Sequence, residues 1–114
     1  MKFMLLICDG GDSPESAAVP DEADGMSIED WVAEMDGRGI RLQGDALRPP
    51  TDATTVRIRH GELLLVDGPF AETKEVLCGF DIVECDDLDE AIEVASKHPM
   101  ARSGMIEVRP FRQD

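Results

Sequence analysis

The chain has 114 residues, 42% hydrophobic and 32% charged, with 25 Asp and Glu against 11 Lys and Arg and a formal net charge of −14. That length is one domain's worth and can build a core without metal or disulfide staples. The acidity argues against nucleic acid and anionic membranes as partners, since both are bound through clustered Lys and Arg.

Phe3, Leu5 and Ile7 alternate with Met4, Leu6 and Cys8, so the first strand is apolar on both faces and belongs inside a sheet. The apolar run ends at Asp9 and Gly10, too early for a signal sequence or a membrane span. Residues 9–36 then carry ten carboxylates and no Lys or Arg. Within them, residues 10–26 hold almost no large apolar side chain, which predicts a flexible, solvated acidic loop. Ser27 and Asp30 form an S-x-x-D cap, and Ile28, Trp31, Val32 and Met35 follow the i, i+3, i+4, i+7 rule, predicting an amphipathic helix ended by Gly37 and Gly39. Residues 40–47 read as a strand stopped by Pro49-Pro50, and residues 54–60 and 63–66 as a hairpin turned at Gly61-Glu62. After the loop DGPFAETKE (67–75), residues 78–84 read as a strand. A helix capped by Asp87 and Glu90 follows, with Leu88, Ala91, Ile92 and Ala95 as its apolar stripe and His98-Pro99 as its end. Residues 105–109 close the chain as a last strand.

The order strand, helix, strand, hairpin, strand, helix, strand implies an α+β fold: a ferredoxin-like sandwich with an antiparallel sheet and two helices on one face. The first strand is apolar on both faces, so the open side of that sheet needs a cover. The simplest is the same face of a second copy, giving a homodimer in the form of a dimeric α/β barrel.

The residues MKFMLLI, Leu47-x-Pro49-Pro50, Thr54 to Arg57, DGPFAETKE, Gly79-Phe80, Asp87 to Ala91 and Glu107 to Pro110 together resemble the YCII-related, or DGPF-domain, family over nearly the whole chain. The resemblance implies a single such domain over residues 1–114 and agrees with the dimeric barrel. It leaves the reaction open. Some members are encoded beside or fused to alternative sigma factors, and a distant relative is a dehydrochlorinase acting on a chlorinated aromatic. One branch carries a His and Asp pair proposed as catalytic, with the His near the first helix. Here no histidine precedes His60, so that pair does not carry over.

DGPFAETKE is the strongest candidate site. Asp67-Gly68 suits a tight turn, Pro69 fixes the next dihedral and Phe70 can anchor the loop. Glu72, Thr73, Lys74 and Glu75 place two carboxylates, a hydroxyl and an ammonium within four residues, a set that can hold a small anion and move a proton. Glu72, Lys74 and Glu75 are the catalytic candidates, and Asp67, Phe70, Thr73 and the strand residue Arg57 the ligand-binding ones. The bland alternative is that these charges cap and pair within a loop that sets strand register. Arg57 and Arg59 share a strand face, and His60 and His98 lie at element ends without metal-ligand spacing. Cys8, Cys78 and Cys85 form no C-x-x-C pair, which predicts packing thiols in a cytoplasmic protein. Two functions follow as expectations. One is a small-molecule-binding protein or an enzyme without cofactor or metal, acting by proton transfer or elimination on a small anion. The other is a non-catalytic accessory module tied to sigma-factor regulation, meeting a basic protein partner through the acidic segment.

Overall fold

The structure, a computed structural model, describes residues 1–9, 26–68 and 76–112. The expected acidic loop, apart from Met26, lies outside those residues, as do residues 69–75 of the DGPFAETKE segment.

Strand β1 (Lys2–Asp9) alternates as its sequence dictates, with Phe3, Leu5 and Ile7 buried and Met4, Leu6 and Cys8 half-buried on the other face. Helix α1 (Ile28–Gly37) begins at Ser27, whose hydroxyl accepts the Asp30 N–H at 3.0 Å. It ends in a Schellman motif: Gly39 N–H donates to Asp36 C=O and Ile40 N–H to Met35 C=O, with Gly39 at φ 71°. Gly39 is therefore the stop, and Gly37 remains helical.

Strand β2 (Arg41–Ala46) leads through a 3₁₀ turn at Pro50–Asp52 into the ribbon β3 (Thr54–Arg59) and β4 (Glu62–Asp67). The ribbon turns at His60-Gly61, one residue earlier than the sequence suggests, and both residues have positive φ, 54° and 78°. That is type I′ geometry, whose twist matches the flanking strands. Strand β5 (Val76–Glu84) starts two residues before its expected beginning. Helix α2 (Leu88–Ser96) is capped as predicted, with Asp87 Oδ1 accepting the Glu90 N–H at 2.9 Å. A short helix α3 (Met100–Ser103), absent from the sequence expectation, precedes β6 (Gly104–Pro110).

Four strands form one antiparallel sheet in the order β2-β5-β1-β6, while β3 and β4 form a separate two-stranded sheet. This is the α+β, ferredoxin-like order, with the β3–β4 ribbon inserted between β2 and β5. Phe3, Leu5 and Val83 pack with Trp31 and Met35 of α1 and Ala91 and Val94 of α2 as one core. The Trp31 indole N–H donates to Val94 C=O at 2.9 Å, tying the two helices together.

The apolar stripes are narrower than their periodicity suggests. In α1, Trp31 and Met35 are buried while Ile28 is exposed. In α2, Ala91, Val94 and Ala95 are buried whereas Leu88 and Ile92 are exposed, so the stripe sits on a face rotated toward Val94. On the opposite side of the sheet, Met4 and Leu6 pair across to Ile82 and Phe80, all half-buried.

Candidate functional site

A cavity of about 210 Å³ opens on the helical side of the sheet. Its apolar wall comes from Ile7 of β1 and from Ile28, Trp31 and Val32 of α1. Its floor is β5, through Cys78, Gly79, Phe80 and Asp81, and its sides are β2 and the turn between α2 and α3.

Asp81 is the buried carboxylate of the cavity. Strand alternation places Gly79, Asp81 and Val83 on the helical face, where Asp81 pairs in register with Leu5, so the carboxylate is only 5% exposed. Arg41 Nε donates to Asp81 Oδ1 at 2.8 Å, and Arg41 Nη2 donates to Gly44 C=O at 3.1 Å. Asp36 Oδ1 lies 3.8 Å from the same guanidinium. A Cβ on Gly44 would fall 1.8 Å from Asp81 Oδ1 and 2.7 Å from Arg41 Nη2. Position 44 therefore tolerates only glycine while this ion pair stands. Burial pushes the Asp81 carboxyl above the usual range, opposed by the Arg41 hydrogen bond. Burial and the Arg41 pair thus act in opposite directions on one carboxylate.

His98 also lines the cavity and is 3% exposed. Its ring meets Trp31 edge-on, with centroids 4.7 Å apart at 66°. The Met100 N–H donates to Nδ1 at 3.0 Å, which leaves the proton of the neutral ring on Nε2. Burial pulls its pKa down to about 4, so the imidazole is neutral at neutral pH. Although His98 follows the end of a helix, its ring is buried instead of facing water. Cys78 Sγ donates to Ile7 C=O at 3.4 Å, and burial, followed by the charge of Asp9, raises the thiol. Burial pushes Cys85 up to about 11. Both sulfurs are thiols, not thiolates, at neutral pH, and no disulfide joins the three cysteines.

Among the site residues expected from sequence, Arg57 and Asp67 lie on the exposed β3–β4 ribbon, Arg57 opposite Leu64 and Asp67 opposite Thr54. Neither lines the cavity. Phe70, Glu72, Thr73, Lys74 and Glu75 lie outside the described residues. The groups that do converge, Asp81, Arg41 and His98, were not singled out as a site. A signal for Asp81 was present: a carboxylate between Gly79 and Val83 at the inward positions of an apolar strand. Among the described residues, no three His, Cys, Asp or Glu side chains gather as a metal would require, and no helix is long and apolar enough to cross a membrane.

The sheet order, the paired helices and the small polar-bottomed cavity define an α+β protein of ferredoxin-like topology with a candidate ligand site under its first helix. The chain belongs to the YCII-related domain family, whose model matches residues 1–113. It is also similar to an uncharacterized protein of Rhizobium meliloti (strain 1021), 48% identical over 67 residues, covering 57% of this chain and 54% of that protein. The match thus spans about half the length of that relative.

Proposed function

We propose that this chain is a small-molecule-binding protein whose ligand occupies the cavity beneath α1, with Asp81 as the group that takes a proton if the ligand is turned over. The observation that carries this is the Asp81–Arg41 pair, whose carboxylate is buried at the floor of a cavity walled mainly by apolar side chains. A cavity of about 150 Å³ lined by apolar side chains accepts benzene, so 210 Å³ suits one ring with small substituents. Arg41 is already committed to Asp81 and Gly44. The described walls therefore favour a neutral ring with a donor group over the small anion expected from sequence. The segment 67–75 enters on sequence grounds alone. Glu72, Lys74 and Glu75 would supply the anion contact and a second proton-transfer group, and the segment runs directly into Val76, two residues before the cavity wall at Cys78. Met4, Leu6, Phe80 and Ile82 on the open sheet face support a homodimer through that face. Three cysteines with no disulfide among them support a reducing, cytoplasmic setting.

Trp31 is the only tryptophan in the chain and lines the cavity, so its fluorescence reports directly on occupancy. Titration with a panel of phenols, benzoates and small unsaturated acids should find ring compounds that change Trp31 emission at submillimolar concentration. Ala46→Phe, at the cavity wall, should weaken them at least tenfold, and Asp81→Asn should weaken those with a donor group. Lys74→Ala should weaken only the anions. No response from any compound, or binding indifferent to both Ala46→Phe and Asp81→Asn, would remove the proposal. Retention of a basic protein at low salt by a chain that binds no compound would favour the accessory module instead.

A further inference from the structure

The β3–β4 ribbon has a face that water should not be left to cover. Its register puts Val56 opposite Leu65 and Ile58 opposite Leu63 on one side. These four side chains are each between 59 and 64% exposed. The other side carries Thr55, Arg57 and Arg59 against Val66, Leu64 and Glu62. Arg57, Arg59 and Glu62 are thus kept off the Val56–Leu65 face, which carries one charge, Asp67 opposite Thr54, at the base of the ribbon. A two-stranded ribbon is at best marginally stable alone in water and leaves both edges unpaired. This one pairs with no other strand among the described residues and is tied back at its base by Gly68 N–H to Ala53 C=O at 2.7 Å and Thr55 Oγ1 to Gly68 C=O at 2.7 Å.

We infer that this ribbon is a clasp: the Val56, Ile58, Leu63 and Leu65 face of each protomer docks on a second copy of this chain. The area decides in favour of a second copy. Four such side chains expose about 400 Å² of apolar surface, the size of the largest patch on a typical monomer, which is often functional. In a two-fold dimer the contact is made twice, and two ribbon faces with the surfaces they cover bury about 1,600 Å² in total, the standard size of a stable interface. A lone contact with an unrelated partner would bury only half of that. The clasp extends the sheet-face dimer proposed above and rests on it only for the existence of a second copy.

Sedimentation equilibrium of the full chain tests it. The wild type should be a dimer at micromolar concentration. The double variant Ile58→Lys, Leu65→Lys should weaken dimerisation at least 100-fold, while Arg59→Gln, on the other side of the ribbon, should leave it within about threefold. A dimer unchanged by the double variant would overturn the clasp and leave the sheet-face dimer standing. A wild type that stays monomeric at about 100 µM would overturn both. Where the double variant fails to fold by circular dichroism, amide exchange of the wild type replaces it: residues 54–66 should exchange at least tenfold more slowly above the dissociation constant than below it. Exchange independent of concentration would mean that residues of the same chain cover the ribbon, and would also overturn the clasp.

Discussion

His98 lies against Trp31 with a pKa pulled down to about 4 by burial, against 6.5 for the free side chain. Because the folded value is depressed, the unfolded chain binds a proton first as the pH falls. The stability held above pH 6.5 is then lost between about pH 6.5 and pH 4, by about 3 kcal/mol in all. Asp81 acts with the opposite sign: its folded value is raised, so its contribution is present at low pH and fades as the pH climbs through the carboxylate range. His98 therefore governs the upper part of the acid limb. Urea denaturation at a series of pH values should show stability falling below pH 6.5 in the wild type and a much flatter profile in His98→Gln. A wild-type profile that is flat from pH 7 to pH 5 would show that the ring is not buried neutral. Neither residue's role was fully legible in the sequence. Strand alternation alone places Asp81 inward, but the fate of His98 depends on how the α2–α3 turn folds onto Trp31, which no local pattern encodes.

At the scale of elements, local chemistry decided most of what was legible. Ser27 and Asp87 cap the two main helices because each side chain reaches the backbone three residues on, a contact set by the sequence itself. The stop of α1 is equally local but fell to one of two nearby glycines, and the structure separates them. Gly39 sits at φ 71°, where a Cβ is strained even though nothing lies within 4 Å, whereas Gly37 is helical with equal room. Gly39→Ala should therefore cost about 1 kcal/mol, and Gly37→Ala should gain up to about 0.5 kcal/mol. Opposite signs in chemical denaturation would confirm the assignment, and equal losses would refute it. Which apolar positions become core was less legible. Ile28, Leu88 and Ile92 satisfy helical periodicity yet remain exposed, because the four-stranded sheet is narrow and α1 and α2 meet it through Trp31, Met35, Ala91 and Val94. The β3–β4 ribbon was legible as a hairpin, but not as one standing apart from the main sheet: alternation fixes its faces and says nothing of which neighbour it joins.

At the scale of the molecule, the net charge of −14 sets how this chain meets another. Two copies of one acidic chain repel through every exposed carboxylate, while the surfaces proposed to join them are apolar: the open sheet face and the Val56–Leu65 side of the ribbon. Salt screens that repulsion over about 10 Å at 0.1 M and leaves apolar burial intact. Arg38 bridges Glu34 of its own helix to Glu90 and Glu93 of α2, and Lys97 joins Glu34 and Glu93. These pairs leave the chain with its net negative charge, 25 Asp and Glu against 11 Lys and Arg. Self-association should therefore tighten severalfold as NaCl rises from about 20 mM to about 500 mM, read by sedimentation at fixed protein concentration. Binding of a basic protein partner through the acidic amino-terminal third would show the reverse, weakening over the same range. The sign of the salt dependence thus distinguishes a chain built to pair with itself from one built to dock on a basic regulator, and a dimer that loosens with salt would mean that charges, not the exposed apolar faces, hold it together.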